Sequence, residues 1–189
     1  MIDELITRNR SYRRFYEDKP ITRRELESLV ELARLSPSAA NLQPLKFIVS
    51  HKPAKNEKIF SCLAWAGYLK DWPGPEQGER PSGYVIILGD TNITKEFGCN
   101  HGIAAQSILL GAVERGLGGC MIASIQRDKL KGLLNIPAYY EILLVIALGE
   151  PKERVVIVEA KEGDIKYWRD ANKTHHVPKR PLSEILLDL

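Results

Sequence analysis

Gly98-Cys99-Asn100-His101-Gly102-Ile103-Ala104-Ala105-Gln106-Ser107-Ile108-Leu109-Leu110-Gly111-Ala112-Val113-Glu114-Arg115-Gly116-Leu117-Gly118-Gly119 is the stretch that decides the fold. Residues 98–115 carry apolar side chains on nearly every face, the pattern of a helix buried all round rather than laid on a surface. In a chain of 189 residues, a partner subunit is the easiest way to bury such a helix. Gly116, Gly118 and Gly119 then turn the chain into a short strand, Cys120 to Ile122. Their run lacks both the GxGxxG spacing and a GK[ST] ending, so close backbone packing is expected of them rather than a phosphate cradle.

Upstream, Thr22-Arg23-Arg24-Glu25 reads as a capping box followed by Leu26, Leu29, Val30 and Ala33 at helical spacing. This predicts a helix from about 22 to Leu35, ended by Ser36-Pro37. A strand is expected over Lys46 to His51, a helix over 54–66 and a buried strand over Tyr84 to Leu88. The breakers from Trp72-Pro73-Gly74-Pro75 to Gly83 make a surface loop, with Tyr68 and Trp72 on its approach either lining a pocket or simply packing. Downstream lie a helix near 126–134 and a strand over 142–148. Helices and strands mix without a βαβ rhythm. After Pro151 the sequence turns charged, with a short helix expected over Pro181 to Leu187. Residues 152–189 have little core of their own and read as an arm lying on another surface.

The composition is that of an ordinary globular chain, 44% hydrophobic and 27% charged, so one domain spanning residues 1–189 is expected. Cys62, Cys99 and Cys120 are odd in number and lack CxxC spacing, which points to a reducing, cytoplasmic setting. The acidic start is unlike a signal peptide, and no apolar run approaches the ~20 residues that span a bilayer, so no membrane role is expected. The net charge of +3 hides an asymmetry. Seven Lys and Arg residues against Glu17 and Asp18 concentrate positive charge between residues 8 and 24 and leave the remainder slightly acidic. Such a cluster suits one small anion better than a nucleic acid.

Arg10-Ser11-Tyr12-Arg13 offers two guanidiniums and a hydroxyl suited to phosphate oxygens, or is a solvated basic helix end. Ser36 to Pro44 combines small residues with the amides of Asn41 and Gln43, a pattern able to read a planar heterocycle or to form a plain loop. Lys179-Arg180 is a second phosphate contact or a basic tail. His175-His176 lacks a carboxylate or thiol at ligand spacing, so no metal is expected. Cys99 is expected as buried filler, and His101 as the first turn of its helix.

Taken in order, Arg10-Ser11-Tyr12-Arg13-Arg14-Phe15, the Ser36–Pro44 loop, Gly102-Ile103-Ala104-Ala105-Gln106 leading into Gly116–Gly119, and Lys179-Arg180-Pro181-Leu182 resemble the FMN-dependent nitroreductase family across nearly the whole chain. The resemblance implies an α+β fold with a central, mostly antiparallel sheet flanked by helices. It also implies an intertwined homodimer whose C-terminal arm, 152–189, is exchanged onto the partner. By the same resemblance, Arg10, Ser11 and Arg13 contact the phosphate, ribityl chain and pyrimidine edge of FMN. Pro37, Ser38, Ala39 and Asn41 reach the flavin from the other subunit. Ile122, Ala123 and Ser124 lie under the ring with a backbone amide toward its N5, and Lys179 and Arg180 form a phosphate pair. Asn9 and His101 depart from the basic and acidic residues many members carry there, and the Trp72–Gly83 segment is compact where larger members insert helices.

The activity so implied is an oxidoreductase passing hydride from NAD(P)H through FMN to a small electrophilic acceptor, such as a nitroaromatic or quinone, by a ping-pong scheme. No side chain is expected as catalyst, because the flavin holds the two electrons. Dehalogenation, ring oxidation, flavin breakdown and non-catalytic flavin binding are the alternatives on the same scaffold.

Overall fold

The computed structural model describes residues 1–187. Strands β1 (Leu45–Ser50), β2 (Gly83–Asp90), β3 (Gly118–Ile122) and β4 (Tyr140–Gly149) form one sheet in the order β1-β2-β4-β3. Every neighbouring pair in it is antiparallel. The middle strand β2, Gly-Tyr-Val-Ile-Ile-Leu-Gly-Asp, is buried at every position, as a β-branched run covered on both faces must be. Its side chains alternate. Val85 and Ile87 join Leu29, Ile108 and Leu109 on one face, while Tyr84, Ile86 and Leu88 join Ile59, Leu130 and Val145 on the other. The sheet therefore separates two apolar cores, and the expected α+β class is observed.

The described residues form helices α1 (Ile2–Arg8), α2 (Arg23–Arg34), α3 (Pro53–Phe60), α4 (Asn100–Glu114), α5 (Arg127–Leu134) and α6 (Leu182–Ile185), of which α2 and α4 pack on one face of the sheet and α3 and α5 on the other. Helix α2 begins at a complete capping box: the Glu25 amide donates to Thr22 Oγ1 at 3.2 Å and the Thr22 amide donates to Glu25 Oε2 at 2.7 Å. Its buried face meets α4 where Gly111 removes an obstacle, since a Cβ there would stand 2.1 Å from Leu32 Cδ1. The helix expected over 54–66 stops at Phe60. Residues 62–64 instead pair with 124–126, Gln126 donating its amide to the Cys62 carbonyl at 2.8 Å and Ala64 to Ser124 at 3.0 Å.

Helix α4 buries Ala104, Ala105, Ile108, Leu109, Ala112 and Val113 but leaves Gly102 and Gln106 exposed and Ile103 half-buried. It therefore keeps one uncovered face instead of being enclosed all round by its own chain. Cys99 is exposed rather than buried filler, because it precedes the first inward-facing turn.

The segment after Pro151 builds a second sheet from β5 (Val155–Glu159), β6 (Trp168–Arg169) and β7 (His175–Lys179), with β5 and β7 parallel and β6 antiparallel to β7. The sheet rests on its own chain through Glu153, Tyr167 and His175. Of the arm expected over 152–189, positions 188 and 189 lie outside the described residues. Among the described residues, no helix is long and apolar enough to cross a membrane.

Candidate functional site

The segment after α1 runs along the free edge of β3. Ser11 forms a parallel bridge with Gly119, and the Tyr12 amide donates to the Gly119 carbonyl at 3.0 Å. Only glycine admits this approach: a Cβ at 118 would lie 2.5 Å from a Tyr12 ring carbon, and one at 119 would lie 2.6 Å from the Ala147 carbonyl oxygen. The expected close packing of these glycines is thus what fixes Arg10, Ser11 and Arg13 in space.

Those three residues line a cleft of about 280 Å³ together with Gln106, His175 and Lys179. Asn9 joins its rim, donating from Nδ2 to Gln106 Oε1 at 3.2 Å. Among the described residues, none of the three cations is paired with a carboxylate through its side chain. Arg10 donates to the Ile6 carbonyl at 2.7 Å and Arg13 to the Ser11 carbonyl at 3.2 Å. Burial lowers the Arg10 pKa from its ordinary value, and the Arg10 Nε–H has no partner. Concentrated positive charge with unused donors is what an anion requires.

Two further groups shape the cleft. His175 is fully buried and stands 3.2 Å from an Arg13 guanidinium nitrogen through its Nε2. Burial first, then the positive charges of Arg13 and Arg169, push its pKa down to about 4, so at neutral pH the ring accepts from Arg13. Below it, the buried Glu153 carboxylate accepts from the Arg13 amide at 2.5 Å and from Arg169 at 3.0 Å. The Tyr167 ring lies 4.9 Å from the Arg13 guanidinium and 4.9 Å from Tyr68, while Arg169 covers Trp72 at 4.5 Å. Tyr68 and Trp72 therefore pack against the C-terminal sheet.

Arg13 and Met121 also line an adjoining hollow of about 110 Å³, walled by Ala64, Trp65, Ala66, Ile122, Ala123 and Ser124. Ala66 holds a left-handed backbone at φ 41°, a strained conformation for a residue with a Cβ. The cationic cleft and this hollow thus adjoin, sharing Arg13 and Met121.

The remaining expected residues lie elsewhere in the chain. Arg180 does not line the cleft and pairs with Glu184 one helical turn on. Pro37 and Ser38 line a different hollow of about 210 Å³ beside Asn100. The Asn100 side-chain oxygen accepts from Ser38 Oγ at 2.8 Å and from the Ala39 amide at 3.2 Å. Ala39 and Asn41 are exposed on this loop, which carries positive φ at Ala40, Asn41 and Gln43. His175 and His176 turn to different partners, His176 facing Asp170 at 2.9 Å. Among the described residues, no group of three His, Cys, Asp or Glu could hold a metal ion.

The sequence model of the nitroreductase family matches residues 6–150, which carry the N-terminal cationic segment, the sheet and the glycine turn. The chain belongs to that family. Nitroreductases of known structure share its fold. A nitroreductase family protein of Streptococcus pneumoniae superposes with a TM-score of 0.71 over 100% of both chains at 19% identity. An FMN-dependent nitroreductase of Clostridium difficile gives 0.69 at 23% identity, over 91% of this chain and 99% of its own. Among sequences, a protein of Archaeoglobus fulgidus provisionally named NADH dehydrogenase/NAD(P)H nitroreductase is 26% identical, over 79% of this chain and 85% of that one. Nitroreductase family membership leaves Glu153, Met121 and Tyr167 unannounced, for none stands in a recognisable motif.

Proposed function

We propose that this chain is an FMN-dependent oxidoreductase that takes hydride from NAD(P)H and delivers electrons to a small electrophilic acceptor such as a quinone or nitroaromatic. The observation that carries the reading is the cleft itself: Arg10 and Lys179 at one end, the small residues Ala64, Ala66, Ala123 and Ser124 around the adjoining hollow, and Arg13 lining both. A phosphate fits Arg10, Ser11 and Lys179, which line the cleft together. The adjoining hollow suits a planar ring, since Ala64, Ala66, Ala123 and Ser124 in its lining have small side chains that allow close approach.

FMN supplies reversible two-electron storage, which no side chain of the chain can offer. The protein's part is to hold and tune it. Arg13 contributes a positive charge at the junction of the two ends, which favours a reduced ring in its anionic form. Its guanidinium is kept in place by Ser11, the neutral His175 and the face of Tyr167. The Cys120 thiol, raised in pKa by burial, stays protonated and inert below the wall.

The active species in this reading is a homodimer. The 37–41 loop borders a different hollow, so a second copy is the means of bringing it to the ring. The uncovered face of α4 and the exposed Leu182, Ile185, Leu186 and Leu187 are the surfaces such a copy would cover. The reading is tested by the absorbance of the purified protein under anaerobic NADH or NADPH, followed by a quinone or nitroaromatic. Bleaching of a flavin band and its return on adding the acceptor support it. A bound flavin that neither nucleotide bleaches favours a different flavin reaction or a storage role.

A further inference from the structure

The Ser36–Pro44 loop holds a conformation that its own residues disfavour. Ala40, Asn41 and Gln43 take left-handed backbone at φ 48°, 52° and 50°. Asparagine enters that region readily, whereas in alanine and glutamine the Cβ crowds the following carbonyl. Burial does not repay the strain, because residues 39–43 are all exposed. Such a turn persists only where its surroundings over-determine it.

One buried side chain supplies that constraint. Asn100, 6% exposed at the start of α4, accepts through Oδ1 from Ser38 Oγ at 2.8 Å and from the Ala39 amide at 3.2 Å. Its Nδ2 donates to the Phe97 carbonyl at 2.8 Å, which fixes the amide in this orientation. Ser38 Oγ accepts in turn from the Gln43 amide at 3.0 Å, so the tie runs from α4 across the loop and encloses Ala40 and Asn41. A second tie, between Ser36 Oγ and Ser107 Oγ at 2.7 Å, lies before the strained turn and does not span it. Without the Asn100 side chain the Ser38 hydroxyl and the Ala39 amide lose their acceptor, and nothing opposes relaxation of Ala40. Asn100 itself lines neither the cationic cleft nor the hollow beside it. We propose that Asn100 is a positioning residue for flavin binding, holding the strained turn in the shape that meets the flavin ring bound by a second copy of the chain. This inference rests on the reading above that residues 37–41 reach that ring.

FMN and riboflavin are titrated separately into the flavin-free parent, Asn100→Ala, Asn100→Asp and the double variant Asn100→Ala/Ala40→Gly, with binding followed by flavin fluorescence. Asn100→Ala should weaken both flavins by about tenfold and by the same factor, since the loop serves the ring that they share. Asn100→Asp keeps both acceptor contacts and places a negative charge at a helix start, so it should bind within about threefold of the parent. Ala40→Gly removes the strain instead of restoring the tie, and it should bring Asn100→Ala back to within about threefold as well. A general loss of stability would not be repaired by a glycine on an exposed loop. In the parent background Ala40→Gly should raise the thermal midpoint, a measurement that needs no Asn100 variant to fold. A parent that binds neither flavin overturns the reading on which the inference rests. With a parent that binds them, an unchanged affinity in Asn100→Ala, a loss confined to FMN, failure of both Asn100→Asp and Ala40→Gly to restore binding, or a lowered midpoint in Ala40→Gly would each overturn the role of Asn100 alone.

Discussion

The Arg13 amide donates to the Glu153 carboxylate at 2.5 Å, across 140 positions of sequence. This bond joins the N-terminal cationic segment to the C-terminal sheet, and it makes both walls of the cleft depend on one buried carboxylate. Arg169 completes the link from the other side at 3.0 Å. Glu153→Gln keeps the shape and removes the charge, so it should cost about 1.5–3 kcal/mol, the range for a hydrogen bond to a charged group. Urea unfolding of the two proteins measures the cost. FMN affinity should fall with it, because the Arg13 amide is then anchored by a neutral amide oxygen instead of a carboxylate.

The second prediction concerns pH. His175 is held at about 4 in the folded chain against 6.5 for an ordinary histidine. Between those values the unfolded chain binds a proton that the folded chain refuses, so stability falls as the pH drops from about 6.5 toward 4. Above pH 6.5 the group contributes no slope. His175→Phe should flatten this part of the profile, and an unchanged slope would remove His175 as its source.

Glu79 produces a separate acid-side loss. Arg14 holds it at 2.5 Å through two nitrogens and Lys152 approaches at 3.3 Å, lowering its pKa to about 2. Its stabilisation is complete above about 4.5 and is lost as the pH falls toward 2. Denaturation midpoints of Glu79→Gln and the parent chain should converge at the acid end, separate as the pH rises from about 2 to about 4.5, and keep a constant gap above that. A gap unchanged between pH 2 and 4.5 would show that the pair contributes nothing.

Gly119→Ala places a methyl carbon 2.6 Å from the Ala147 carbonyl oxygen and 2.6 Å from Leu109 Cδ2. The backbone cannot yield there without parting β3 from β4, so a loss of about 1–3 kcal/mol is expected from overpacking. Gly132→Ala, in α5 with open space around it, should melt no lower than the parent in a thermal scan.

Much of this arrangement is legible in local sequence. The Thr22–Glu25 capping box, the alternating faces of β2 and the crowding at Gly118 and Gly119 each follow from residue types at fixed spacing. The C-terminal sheet is different. Its parallel pairing of β5 with β7 spans charged, weakly periodic sequence, so nothing local announces it. Glu153 sits in a run of charges, Lys152-Glu153-Arg154, that reads as solvated, and its burial depends on Arg13 and Arg169 arriving from elsewhere. Lys179 and Arg180 are indistinguishable in sequence, yet Lys179 ends β7 at the cleft while Arg180, past the strand, pairs with Glu184.

That divergence yields a paired test. Lys179→Ala should weaken FMN by about tenfold or more, the worth of one charge-assisted contact, whereas Arg180→Ala should leave affinity within about twofold. Equal losses in fluorescence titrations at matched ionic strength would return Arg180 to the phosphate site.

The central claim is that the cationic end of the cleft holds a flavin phosphate, and titration of the flavin-free protein with FMN and with riboflavin tests it most directly. The two ligands share the ring and differ in the phosphate, so contacts from Arg10, Ser11 and Lys179 should favour FMN by about ten- to a hundredfold. Equal affinity for the two would contradict the account.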